Sequence, residues 1–236
     1  MSRMKRIKRV WMLFLAVVLS AGTAGCGFME APAEKKIVSE MEEKYGEEFR
    51  FVEWRTLRFG SKSCIAHLEC DAIPEKMVKA GQETDQDGNL FYFDNYMGYL
   101  YENEIHMELE TVIQNVYPDS KVLLLIPSCQ FPRDMGPQMS REEIVNDPDT
   151  LLAAMILAKQ PEDDRGKELQ LEQLRKKLKE RQIRVDGNLF LVSDETAFEE
   201  INDSNYYEWT SRDDWFSGRC YFAMDQEYEF IYENWR

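Results

Sequence analysis

Histidine is nearly missing from this chain: His67 and His106 are the only two in 236 residues. An enzyme built on a nucleophile and a histidine would have to use one of them, and no Gly-x-Ser-x-Gly elbow accompanies either. There is no His-Glu-x-x-His zinc motif and no phosphate-binding glycine loop, so no cofactor is expected. Basic residues are also short, with 29 Lys and Arg against 44 Asp and Glu. A surface so acidic repels phosphate backbones, which excludes nucleic acid as a partner. It suits metal cations or basic partners, although acidity also serves solubility alone. Cysteine is sparse. Beyond Cys26 only Cys64, Cys70, Cys129 and Cys220 occur, at irregular spacing. Outside the cytoplasm four cysteines allow three disulfide pairings, and free buried thiols fit the pattern equally well.

What the sequence does have is concentrated at its start. Arg3, Lys5, Arg6, Lys8 and Arg9 form a basic segment with no acid to offset it. An unbroken apolar run, VWMLFLAVVL, follows at 10–19, and then the small residues Ser20-Ala21-Gly22-Thr23-Ala24-Gly25 lead to Cys26. Basic, apolar and small-residue segments in this order make a secretory signal, with the basic end retained in the cytoplasm. Two other outcomes stay open. The charge-free stretch 10–29 is long enough to span a bilayer uncleaved, and ordinary cleavage near Ala24 would release the chain.

Thr23-Ala24-Gly25-Cys26 resembles the lipobox of bacterial lipoproteins, with Thr23 standing where an aliphatic residue is usual. That resemblance implies a signal peptide over 1–25 and a thioether-linked diacylglycerol on Cys26 as the mature N-terminus. It implies a membrane partner through that lipid and a place on the outer face of the cytoplasmic membrane. Two acyl chains suffice for stable anchoring. The remainder of the chain resembles, in texture and without a motif, uncharacterised surface lipoproteins of Gram-positive bacteria. Removal of the leader leaves 24 basic and 44 acidic residues, a net charge of −20.

About 210 mature residues make one large domain or two small ones. A tether is expected over 26–33 and a globular domain over 34–236, with a sub-boundary near 161–166 (PEDDRG). Periodicity predicts helices over 33–45, 96–117, 150–159, 167–182 and 195–202. Strands are expected over 49–59, 64–73, 89–93, 121–127 and 188–193, with a closing hairpin at 219–224 and 227–232. Ser140-Arg141-Glu142-Glu143 reads as a capping box. The fold class is therefore α+β, helices packed on a mostly antiparallel sheet. Asp87-Gly88-Asn89-Leu90-Phe91 recurs as Asp186-Gly187-Asn188-Leu189-Phe190, either through duplication or as two independent turns.

Three segments carry candidate chemistry. Residues 83–94 imitate a calcium loop, with Asp85, Asp87 and Asp94 as candidate ligands and Gly88 at the turn; the competing interpretation is an acidic hairpin turn. In the 64–70 segment, CIAHLEC, strand alternation sends Cys64 and Cys70 to one face and His67 to the other, which argues against zinc. The last thirty-two residues hold eleven aromatics, and Trp209 and Trp215 are candidates for a ligand groove, with core filling as the alternative. The expectation is a non-enzymatic, lipid-anchored binding module of the cell envelope, its envelope or extracellular partner unnamed. The alternatives are a carboxylate-dependent envelope hydrolase and a calcium-dependent binding protein.

Overall fold

The computed structural model describes residues 27–57, 63–159, 164–202, 204–212 and 214–236, so the leader and Cys26 lie outside the described residues. Helix α1 (Gly27–Tyr45) begins inside the stretch expected to be a tether, where Met29, Glu30 and Ala31 are good helix formers. It buries Ile37 and Met41 against the first sheet. That sheet is antiparallel, in the order β1 (Phe49–Leu57), β2 (Cys64–Cys70), β3 (Val78–Thr84), β4 (Leu90–Asp94). Strand β3 was not anticipated, because VKAGQET is poor in β-branched and aromatic residues. Its pairing with β2 and β4 supplies what propensity does not.

Helices α2 (Tyr96–Leu100) and α3 (Glu102–Gln114) replace the single expected helix, with a break at Tyr101. The stripe survives: Ile105, Leu109, Val112 and Val116 are all buried. His106 Nε2 donates to the carbonyl of Val122 at 2.8 Å, fastening α3 to strand β5 (Ser120–Leu124). Helix α4 (Arg141–Val145) opens with the expected capping box, Ser140 and Glu143 satisfying each other's backbone N–H.

The second sheet runs β5, β6 (Leu152–Lys159), β7 (Val185–Val192), β8 (Phe216–Met224), β9 (Phe230–Trp235). The fold is thus α+β with helices on mostly antiparallel sheets; β6 and β7 form the single parallel pair. Helix α5 (Asp164–Glu180) makes the crossover that a parallel pair requires. Its Leu171, Leu174 and Leu178 are buried, as their spacing predicted.

The expected helix at 150–159 is corrected to a strand. Leu, Ala and Met favour helix, but seven of the eight residues of β6 are buried, and a strand covered on both faces shows no alternation. One face of this sheet shares a core with α1, α3, α5 and the first sheet, a continuous cluster that includes Leu68, Leu109, Leu189 and Phe222. The other face carries a smaller cluster, Leu123, Met155, Leu157, Phe190, Val192 and Trp215, beneath α6 (Glu195–Glu200) and α7 (Tyr206–Thr210).

Each sheet uses the same packing device once. Gly81 faces Phe93 and Gly187 faces Phe222 across neighbouring strands, and each phenyl ring lies over its glycine. A Cβ at Gly187 would collide with the ring of Phe222, which is fully buried and has nowhere to retreat. Gly187→Ala is expected to lower stability by about 2 kcal/mol through overpacking. Urea unfolding of the two proteins measures it, and an unchanged midpoint would show that the strands can part at no cost.

Candidate functional site

The calcium-loop residues are not brought together. Asp85 Oδ1 accepts from the backbone N–H of Asp87 (3.0 Å) and Asn89 (2.8 Å), and Oδ2 accepts from the Asn89 amide. Its carboxylate is held below the usual range chiefly by the Asn89 N–H. Asp87 is exposed at the tip. Asp94 lies at the far end of β4, where its buried carboxylate accepts from Lys44 Nζ (2.7 Å), Tyr45 Oη (2.9 Å) and the N–H of Tyr96 (3.0 Å). The segment is a hairpin turn followed by a strand, with no exiting helix. Among the described residues no group of three His, Cys, Asp or Glu could hold a metal.

The same wiring recurs in the β8–β9 turn. Asp225 Oδ1 accepts from Glu227 and Glu229 N–H at 3.0 and 2.8 Å, as Asp85 does from Asp87 and Asn89. Gly88 and Tyr228 occupy the fourth position of their turns, both with positive φ. The structural counterpart of 85–89 is therefore 225–229. The echo at 186–190 is no turn; it lies inside β7.

The tryptophan groove is likewise corrected. Trp215 is only 1% exposed, stacks on Phe190 at 5.0 Å and donates Nε1–H to the Trp209 carbonyl. It needs a buried acceptor for its indole N–H and finds one there. Trp209 is half-buried under the guanidinium of Arg212. The four cysteines beyond Cys26 are free and buried. Cys64 and Cys70 face the core, while His67 lies across the strand beside Glu53, as alternation required.

A different group does converge. In β7, Asp186 and Asn188 occupy the face that further along carries Phe190 and Val192. Aspartate and asparagine are poor strand formers, and such local conflicts concentrate at functional positions. Across the sheet Asn188 pairs with Tyr221, and Tyr221 with Asn234; Phe190 pairs with Arg219, Asp186 with Ala223, and Ala223 with Tyr232. Arg219 and Arg236 exchange both backbone hydrogen bonds. Directly paired residues share a face, so these polar side chains stand on one open surface. Asn188, Arg219, Tyr221, Tyr232, Asn234 and Arg236 line a depression of about 280 Å³.

Its side chains are pre-set. The Arg219 guanidinium lies 4.9 Å from the Phe190 ring centroid and donates to Asn188 Oδ1 at 3.1 Å. Tyr221 Oη donates to Asp186 Oδ2 at 3.2 Å. Asn234 Nδ2 donates to Tyr232 Oη at 3.1 Å. Burial raises the Asp186 carboxyl above its ordinary value, against the opposing pull of the Tyr221 hydrogen bond. Burial also raises the Tyr221 phenol, helped by the Asp186 charge. Sequence reasoning missed this site because Asp-Gly-Asn reads as a turn. No local signal separates the two copies, since an apolar strand follows Asn89 as well as Asn188.

No family model matches the sequence, and no curated protein matches it. Among solved structures, a DUF5037 family protein from Ruminococcus gnavus is similar to 71% of this chain over 77% of its own, at 13% identity and a TM-score of 0.33. A likeness that weak carries no argument about the site.

Two outcomes are expected. Calcium should leave the melting temperature unchanged, since the turn needs no ion to close; a rise on adding calcium would restore the ion-binding interpretation. For Asp186, a carboxyl raised on folding means the folded chain binds that proton more tightly than the unfolded one. The contribution of Asp186 to stability is therefore full below the ordinary aspartate value of 3.8 and is lost as pH rises through the folded one. Asp186→Asn should melt above the parent at about pH 7, with the gap closing toward about pH 3. A gap that is the same at both would refute it.

Proposed function

We propose that this chain is a lipid-anchored binding protein of the cell envelope, held through Cys26 at the outer face of the cytoplasmic membrane, with the open face of the second sheet as its recognition surface. The observation that carries the second half of the proposal is the depression itself: two arginines, two asparagines and two tyrosines from three adjacent strands. Neither Arg219 nor Arg236 has a carboxylate partner within ion-pair distance among the described residues, in a chain rich in acids. Unpaired arginines on a pre-set polar face suit recognition of an outside group.

The leader supports the first half. No helix among the described residues is long and apolar enough to cross a membrane, and the apolar run at 10–19 lies outside them. A tether confines the domain to a layer near the membrane and raises its local concentration toward partners there. The net charge of −20 calculated for residues 26–236 keeps the domain itself from settling onto anionic headgroups.

Intact mass of the membrane-extracted protein, from a bacterial host that processes lipoproteins, tests the anchor beside Cys26→Ala. The expected result is a chain that begins at residue 26 and is heavier by a diacylglyceryl group, with the variant unprocessed. A chain starting at Met1, or one cut without lipid, would overturn the proposal.

A further inference from the structure

We propose that the depression on the second sheet binds an anionic saccharide: a single sugar ring bearing a carboxylate or a phosphate. This rests on the binding-protein reading above and names its ligand class.

Some hydrogen-bonding groups of the depression are already used. Arg219 spends one N–H on Asn188 Oδ1, and the Phe190 ring behind it fixes the plane of the guanidinium. The remaining donors of Arg219 and those of Arg236 are uncommitted among the described residues. Two guanidiniums on backbone-paired residues make a donor-rich end, and that combination matches an oxyanion. Asn188 accepts through Oδ1, so its Nδ2 is left as a donor. Asn234 donates through Nδ2, so its Oδ1 is left as an acceptor. One free donor and one free acceptor, on the two strands that flank Tyr221, suit separate hydroxyl groups of one ring, since a hydroxyl is both donor and acceptor.

The aromatic groups complete the match. The Tyr221 and Tyr232 rings stand 5.1 Å apart at 52°, and Tyr232 is 46% exposed. An aromatic surface with a polar tip can pack the C–H face of a sugar while its hydroxyl stays bonded. At about 280 Å³ the space takes one ring, below the range of larger ligand pockets.

Orientation follows from Asp186. Asp186 lies four positions along β7 from Phe190, the backbone partner of Arg219, about 13 Å at strand rise, and the Arg219 guanidinium crosses part of that gap to reach Asn188. The depression is thus cationic at the Arg219–Arg236 end, and Asp186 stands outside its opposite margin, bonded to Tyr221. A single acid on the ligand lies at the first end, and hydroxyls lie toward the second. A ligand with anions at both ends would be repelled at Asp186.

Ligand-observed NMR titration of the purified full chain with D-glucuronate, D-glucose 6-phosphate and D-glucose tests this. At least one of the two anionic sugars should bind roughly tenfold or more tightly than glucose, and the tighter of the two names the acid. The Arg219→Gln/Arg236→Gln double variant should lose that preference, while Arg212→Gln, at an exposed arginine elsewhere, should keep it. Should the double variant fail to fold, Arg236→Gln alone, at the exposed end of the sheet, serves the same purpose. Equal binding of glucose, no binding of either anion, or full binding by the folded arginine variants would overturn the proposal. Each of those results would leave the mass measurement on Cys26 untouched, so the two readings fail separately.

Discussion

Because β6 is buried on both faces, its parallel pairing with β7 constrains everything else in the second sheet. A parallel neighbour forces a crossover, and α5 is that crossover; its leucine stripe then covers one face. The pairing also fixes which side chains of β7 point which way. Val185, Leu189 and Leu191 enter the main core, so Asp186, Asn188 and Phe190 must stand on the opposite face. A slip of one residue would turn Asp186 and Asn188 into the main core and move Val185, Leu189 and Leu191 out of it. The depression therefore exists because the hydrophobic register of β7 leaves its polar side chains no other place.

Electrostatics and packing meet at Phe190. On one side it stacks against the buried Trp215; against it too lies the Arg219 guanidinium. The aromatic layer under α6 and α7 is thus a wall of the depression. It lowers the solvent around Arg219, where a hydrogen bond to an ionised partner is strongest. An acidic chain that keeps two arginines unpaired on such a wall has concentrated its positive field locally.

Much of the fold was legible in the sequence where one period dominated. The stripes of α3 and α5, the alternation of β2 and the Ser140–Glu143 capping box each follow from local spacing alone. Legibility failed where tertiary context outweighed the local signal. Strand β6 has helix-forming letters and double burial, and β3 has weak strand formers held by two neighbours. The site was the hardest part. Trp209 and Trp215 drew notice as large aromatics, yet the indole N–H of Trp215 is satisfied inside the cluster. Asp186 and Asn188 passed as turn residues because the same letters do form a turn at 87–89. Only the pairing of β7 with both β6 and β8 distinguishes the two copies.

The two matching hairpin turns are not equally self-reliant. In the first, glycine occupies the positive-φ position and the turn closes on its own hydrogen bonds. In the second, Tyr228 occupies it, a conformation that costs a side-chain-bearing residue about 1 kcal/mol. What offsets that cost comes from elsewhere: Arg175 reaches the Tyr228 carbonyl and Glu229, Lys179 reaches Glu229, and Arg184 holds the carbonyls of Met224 and Asp225. Arg175 and Lys179 belong to α5, on the far side of the sheet from the depression. The outer strand of this open face is thus clamped from behind, by Arg175 and Lys179 holding its turn. Helix α5 braces, from the opposite side of the sheet, a depression that none of its described side chains lines.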